Sequence, residues 1–368
     1  MKKGISSSHY FFFYKSLTHI LAGLMCGSFL ALVALREPMV ADPMVDLLVI
    51  GSAPSRLGGR RRGLRAVPSA NMKQTLVVYA GPLHMTNKAA VGYETYTERY
   101  QMDKLHLANF DFFLQHGIDC TVHDTLLILG EPVKLAYATQ LDNMNQACLA
   151  LGHFIKLVTR DDACGDVEHM RLVLKGGVVD VAPYDALIHV SSEMSGPAPP
   201  SSSGSPSWTV DFTKHFTSDV HMVGLSHVCH GKHTHVQSSA FALDKKGIDL
   251  IRNSNVVFDC RNDNQGVATG EDRYDNLSAI VGRYEIGMSQ TILEAGYKLH
   301  SILGDLTIDK VSRETCTGDD MWLTSRLKTI YGDIPSLKQV LFFKTSRYLP
   351  KDIQSLIGFN GLPEWEWK

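Results

Sequence analysis

The sequence predicts an α/β fold, a mostly parallel sheet flanked by helices and preceded by an N-terminal transmembrane helix. Two observations carry this expectation. From residue 74 onward, short apolar runs alternate with stretches of helical periodicity, and strands separated by helices imply βαβ units whose strands lie side by side in one direction. Upstream, Leu17 to Leu35 (LTHILAGLMCGSFLALVAL) carries no charge, and about 19 helical residues at 1.5 Å each nearly cross a hydrocarbon core of roughly 30 Å.

Taken in order, TLVVYAG is a buried strand ending in a Gly-Pro turn. DKLHLANFDFFLQHG spaces Leu105, Leu107, Phe110, Phe113 and Leu114 as one helix face, with Gly117 as a natural C-terminal stop. TLLILG is the second strand and TQLDNMNQACLALG the second helix, closed by Gly152. FIKLV, DVEHMRLVLKGG and YDALIHVSS continue as strand, helix and strand. PAPPSSSGSP, from Pro197 to Pro206, is too rich in Pro, Gly and Ser for either element and reads as a loop. After it WTVDFTKHF is helical, VHMVGLSHV and THVQSSAFAL are strands, and DKKGIDLIRNS resumes as a helix. In such a sheet ligands bind beyond the carboxyl ends of the strands, so functional residues are expected just after strands.

Lys2, Lys3 and Lys15 precede the charge-free run, while Arg36 and Glu37 cancel each other after it. By the positive-inside bias this places residues 1–16 in the cytosol and everything after residue 36 in the lumen. A cleaved signal peptide and an organellar transit segment are the alternatives for the same run. The expected organisation is a tail (1–16), an anchor (17–35), a stem (36–73) with a solvated basic run from Arg56 to Arg65, a catalytic domain (74–350) and a C-terminal tail (351–368). Cys120, Cys148, Cys164, Cys229, Cys260 and Cys316 would be luminal and able to form disulfides whose connectivity the sequence leaves open. Asn276-Leu277-Ser278 is a glycosylation sequon. A net charge of -2 offers no field for nucleic acid, and a small molecule or neutral polymer is the expected partner.

One stretch demands a choice. SHVCHGKHTHVQSS crowds His227, Cys229, His230, His233 and His235 together, and such residues are good zinc ligands. Yet Cys229 and His230 are adjacent, so in a strand they face opposite ways, and no second ligand cluster closes a structural site. Read with their surroundings, these residues fall into a series of ordered blocks from about residue 75 to 350: ANFDFFLQHGID, DTLLILG, VTRDDACGD, YDALIHVSSEMSGP, VHMVGLSHVC, HVQSSAFALDKKGIDLI, YEIGMSQTILEAGYKLHSIL and LFFKTSR. In these blocks the chain resembles a glycosyltransferase-like family related to the rhamnan synthesis protein F group. VTRDDACGD stands where that family tends to show Arg-Glu-Asn-x-Gly-x-Asp.

The resemblance implies a Rossmann-type nucleotide-sugar-binding domain of the GT-A kind. Arg160, Asp162 and Asp166 would then serve the donor from the end of a strand and the start of a helix, where backbone amides favour phosphate. GT-A enzymes place an Asp-x-Asp motif for a divalent metal at the end of the fourth strand. This chain contains no Asp-x-Asp, and Ser191, Ser192 and Glu193 occupy the place. Mn or Mg is therefore expected only through Glu193, or its charge-neutralising role falls to Arg160, Lys or His side chains. His235 and Gln237 are two residues apart and could both reach a sugar or diphosphate from one strand face. Glu285, opening a helical pattern, is the candidate base that takes the proton from an acceptor hydroxyl. Arg347 is a lesser candidate for phosphate contact. The expected function is transfer of a sugar from a nucleotide-sugar to a glycan or glycoconjugate in the Golgi or ER, as a single-pass type II membrane protein. The alternatives are a catalytically impaired relative that binds glycan or nucleotide-sugar, and a His-rich luminal metal-binding protein.

Overall fold

The computed structural model describes residues 74–85, 96–160, 165–197, 207–230, 233–258, 280–303, 305–309 and 341–344. All of them belong to one compact unit, residues 67–368. The predicted anchor and stem, the sequon, Asp162, Arg347 and most of the Pro/Ser loop lie outside the described residues. Among the described residues, no helix is long and apolar enough to cross a membrane.

The first half of the chain alternates as its periodicity predicts. β1 (Thr75–Ala80), α1 (Tyr96–His116), β2 (Asp124–Gly130), α2 (Glu131–Leu149), β3 (Ile155–Arg160), α3 (Gly165–Leu174) and β4 (Ala186–Ser191) follow one another. Helix α2 begins before the predicted Thr139, because Pro132 occupies its first turn, where the missing N–H costs no intrahelical bond. It ends just before Gly152, which takes a φ of 89° that a side chain would disfavour. Cys120, just past α1, and Cys148, at the end of α2, form a disulfide with Cα atoms 4.8 Å apart.

The second half departs from simple alternation. It comprises β5 (Met194–Ser195), α4 (Thr209–Thr213), β6 (Val220–Gly224), β7 (His227–His230), β8 (His233–Val236), β9 (Ala240–Asp244), α5 (Lys245–Asn253), a π-helical turn (Ile280–Ile286), α6 (Gly287–Glu294), β10 (Lys298–Ser301), β11 (Leu306–Ile308) and β12 (Phe343–Lys344). The strand predicted over Thr234 to Leu243 is broken: β8 pairs with β7 in a separate two-stranded ribbon, and only β9 enters the main sheet. The break falls at the Ser238–Ser239 turn, while Gln237 N–H still donates to Ser226 O at 3.1 Å and so extends the β7–β8 register by one pair. The predicted strand VHMVGLSHV divides for the same reason, at Gly224, where a Cβ would lie 2.1 Å from Val236 Cγ1. Only a glycine lets the ribbon cross there.

The main sheet has the order β11-β10-β6-β9-β4-β1-β2-β3. β1, β2, β3, β4, β6 and β10 share one direction, whereas β9 and β11 run against their neighbours. The mostly parallel α/β expectation therefore holds, with one antiparallel strand inserted at the centre. Each face carries its own apolar layer. Val77, Tyr79, Leu127, Leu129, Ile188 and Val190 pack under α1, α2 and α4. Leu76, Val78, Leu126, Ile128 and Leu187 pack under α3, α5 and α6. This period-two division follows from strands buried on both sides. The chain steps outward from β1 to β2 to β3 using α1 and α2 on one face, then returns by α3 on the other face to β4 on the far side of β1. The strand order thus reverses between β1 and β4, and in open α/β sheets the carboxyl ends at such a reversal are where a ligand crevice is expected.

Candidate functional site

The crevice is built from backbone before any side chain enters it. Beyond β1, Gly81 N–H donates to Ile128 O at 2.9 Å and Gly130 N–H to Pro82 O at 3.0 Å, so the β1 and β2 ends stay joined through the turn. A Cβ on Gly130 would lie 1.9 Å from Leu83 O, which is why the β2 end needs glycine. Beyond β4, Ser192 N–H donates to Ala80 O at 2.7 Å and Ser191 N–H to Ser239 O at 2.8 Å. Asn109, fully buried on α1, closes the wall by donating to Ser192 O at 2.8 Å. Ser191, Ser192 and Glu193 therefore sit at the β1/β4 reversal, as predicted. Both serines are buried and Glu193 is half-buried.

Because β9 runs antiparallel, its first residues lie beside the last residues of β4 and β6, and the preceding turn lands at the same rim. Glu285 reaches this turn: its Oε1 accepts from Ser238 N–H at 3.1 Å. The carbonyl of the same Ser238 lies 3.1 Å from His189 Nδ1, so the ring's donor nitrogen faces it. His189 is wholly buried on β4, its ring stacked on Phe241 at 5.1 Å and 5.8 Å from the His169 ring. Burial pushes its basicity down to about 4; the bond to Ser238 raises it in part and the Arg160 charge lowers it further. His189 thus stays neutral and holds the Ser238 peptide from below while Glu285 holds it from above. Glu285 belongs to the π-helical turn before α6, which corrects the expectation that it opens an α-helix. It is a mid-turn side chain aimed at the rim.

Gln237 lies one residue past β8, its N–H still bonded to Ser226 O in the β7–β8 register. Gln237 Oε1 accepts from Ser226 Oγ at 2.7 Å, so it braces the exit of β6. His235 is buried within the ribbon opposite Val228, and the ribbon rests on α6, where Ser289 Oγ accepts from Val236 N–H at 3.0 Å. Arg160 ends β3, two strands from β1, and reaches the site through the electrostatic influence on His189 just described. Asp166 lies in the first turn of α3. Sequence reading missed His189, Ser238 and Asn109. A signal existed for two: each is a polar residue inside an otherwise apolar run, ALIHVS and LANFDFF, where a buried polar group requires a partner.

A hard divalent cation takes six or more oxygen ligands. On the β4 end itself the described residues offer one carboxylate, Glu193, and two serine hydroxyls, of which Ser191 Oγ accepts from Glu193 N–H at 3.3 Å, while Glu285 at the same rim is held by Ser238 N–H. These alone do not make up the ligand set of Mn or Mg.

The strand order defines a doubly wound α/β protein whose order reverses between β1 and β4, the place where open sheets of this kind take their ligands. No protein-family model matches the chain, no curated protein matches it, and the resemblance to the rhamnan synthesis protein F group gains no support from either. Similar solved structures include a mannosyltransferase from Pyrobaculum calidifontis in complex with GDP-Man and Mn2+, at 9% identity and TM-score 0.35 over 62% of this chain and 54% of that one. S. aureus TarS is similar at 9% identity and TM-score 0.31, over 60% and 56%, and mouse xyloside xylosyltransferase 1 at 9% and 0.25, over 63% and 81%. The chain spans about half the length of the first two. Likenesses this distant assign no activity, and the functional reading rests on the crevice itself.

Proposed function

We propose that the protein transfers a sugar from a nucleotide-sugar to a hydroxyl of a glycan or glycoconjugate, with the donor in the crevice between β1 and β4. The observation that carries this reading is the meeting of Glu285 with the Ser238–Ser239 turn at the carboxyl end of β4. Glu285 Oε1 is fixed by the Ser238 amide, which orients the carboxylate and leaves Oε2 to take the proton of an acceptor hydroxyl as its oxygen attacks the anomeric carbon. The bond to the nucleotide diphosphate breaks as the new glycosidic bond forms. Charge on the departing diphosphate needs cationic or N–H partners in place of a two-carboxylate metal clamp; Arg160 and the amides opening α3 are the groups of this chain that suit it. The charge-free run at residues 17–35 supports a luminal, Golgi or ER setting for the reaction.

The test is release and transfer of sugar from a panel of nucleotide-sugars by the full-length chain, with and without manganese, for the wild type and Glu285→Gln. Gln keeps an oxygen for the Ser238 amide but cannot accept a proton, so turnover falls by about 10²- to 10⁴-fold with folding unchanged. Equal turnover in the variant removes Glu285 from the reaction. A second reading, a nucleotide-sugar or glycan binder without transfer, is favoured by the lack of any Asp-x-Asp in the chain. It predicts stoichiometric nucleotide binding with no turnover in either protein.

A further inference from the structure

Away from the crevice, three potential ligands meet where no function has been assigned. His215 follows α4, His300 is the third residue of β10, and Asp305 sits in the turn between β10 and β11. One ligand atom from each lies within 4.8 Å of the others. The two imidazole rings stack with centroids 4.0 Å apart and planes 18° from parallel. His300 Nδ1 lies 3.4 Å from Thr307 Oγ1, which fixes its outer nitrogen, while its Nε2 faces Asp305 Oδ1 at 3.6 Å, beyond hydrogen-bond reach. His300 is 5% exposed, and its Nε2 has no hydrogen-bond partner. A buried imidazole nitrogen in that state asks for an explanation.

We propose that His215, His300 and Asp305 form a site for one divalent transition ion of the zinc class, clipping the end of α4 to the β10–β11 hairpin. Two imidazole nitrogens and one carboxylate oxygen are the donor set that borderline ions of this kind take, and three protein ligands leave a fourth place for water. Tetrahedral bonds of about 2.0–2.1 Å bring ligand atoms to roughly 3.3 Å from one another. Ring nitrogens present their lone pairs in the ring plane, so binding requires His215 to turn out of the stack and Asp305 to swing in; Asp305 is 89% exposed at its side chain and His215 lies half-buried after a short helix, which leaves both room to do so. Lys214, whose charge is felt by both histidines, is engaged with Asp211 at 2.8 Å. Burial lowers the basicity of both His215 and His300, and each opposes a charge nearby, so both present lone pairs at neutral pH. Thr307 on the far nitrogen of His300 is the kind of outer contact that fixes which nitrogen is left for a metal. The site is separate from the crevice: β10 lies three strands from β4, about 14 Å along the sheet at the usual strand spacing.

The experiment is titration of the untagged full-length chain with Co2+, read by its visible d–d bands, and with Zn2+, read by the shift in Tm. The expected result is one equivalent with tetrahedral-type bands and a raised Tm. That equivalent is lost in His215→Ala and His300→Ala, is weakened at least about tenfold in Asp305→Asn, and is kept in His116→Ala, a histidine of α1 outside the cluster. Metal held by the ribbon histidines would persist in all four variants and is counted apart. Absence of binding by the wild type, or binding unchanged in His215→Ala and Asp305→Asn, overturns the proposal. Those two substitutions fall at half-buried or exposed positions, so they decide the question even if His300→Ala fails to fold.

Discussion

The buried histidine under the Ser238 turn makes a quantitative pH prediction. His189 has a basicity of about 4 in the fold against an ordinary value of 6.5. Below 6.5 the unfolded chain takes up a proton there that the native chain refuses, so stability falls with pH and the loss levels off near pH 4. Between pH 7 and pH 5 the linkage amounts to about 2 kcal/mol from this residue alone. His189→Phe keeps an aromatic ring against Phe241 but removes both nitrogens. At neutral pH the variant loses the donor to Ser238 O, a cost of about 1 kcal/mol. Below that pH it escapes the proton penalty, so the two stability curves should cross near pH 6, with the variant about 1 kcal/mol the more stable at pH 5. The assay is urea denaturation of wild type and variant at fixed ionic strength from pH 5 to 8. Parallel curves with no crossing would refute the claim that His189 is held neutral in the fold. His123, also lowered to about 4 by burial, adds a similar slope to both proteins and cancels in the comparison.

Two further outcomes test the frame around the site. Asp124, at the start of β2, accepts from Tyr184 Oη at 2.7 Å and Phe154 N–H at 3.1 Å and lies 3.0 Å from His153 Nδ1; Asp124→Ala should cost about 2–4 kcal/mol and Tyr184→Phe about 1 kcal/mol in thermal unfolding, and equal effects of the two would contradict a shared carboxylate hub. Gly247→Ala puts a Cβ 2.2 Å from the backbone oxygen of His221, so it should destabilise by about 1–3 kcal/mol in urea despite the better helix propensity of alanine; a neutral or stabilised variant would show that α5 shifts freely on β6.

Much of the first half of the fold was legible in the residues because β1, β2 and β4 are short apolar runs buried on both faces, separated by longer stretches with helical spacing. TLVVYA and TLLILG are short continuous apolar runs bounded by Gly, which suits strands buried on both faces on either side of the helix in DKLHLANFDFFLQHG. What could not be read is spatial order. Nothing local in AFALD distinguishes a strand running with its neighbours from one running against them, because both are buried on both faces. The pairing of Cys120 with Cys148 depends on α1 and α2 lying on one face, which is a property of topology. The position of Ser191, Ser192 and Glu193 at the end of a strand was legible from the apolar run before them, and that of Glu285 near a helix start from the helical pattern it precedes. The period-two pattern of His235 and Gln237 runs on through the ribbon, where Gln237 N–H to Ser226 O continues the β7–β8 pairing, and it gives no sign of the Ser238–Ser239 turn that follows. His189 was overlooked because a polar residue inside a strand gives no sign of which peptide it will meet.

The reversed central strand has a consequence for how such a protein can change over generations. Since β9 begins at the rim where β4 and β6 end, everything between residues 225 and 239 is a detour that leaves and re-enters the sheet at one spot. Residues can be gained or lost along that detour without altering the pairing of Leu187 with Leu243 or of Met222 with Leu243. The crowd of histidines and Cys229 lies on this adjustable length, whereas the turn met by Glu285 lies at its anchored end. Drift in length and composition along it can alter what flanks the β4 and β6 ends while the Ser238 peptide that bonds Glu285 stays in place.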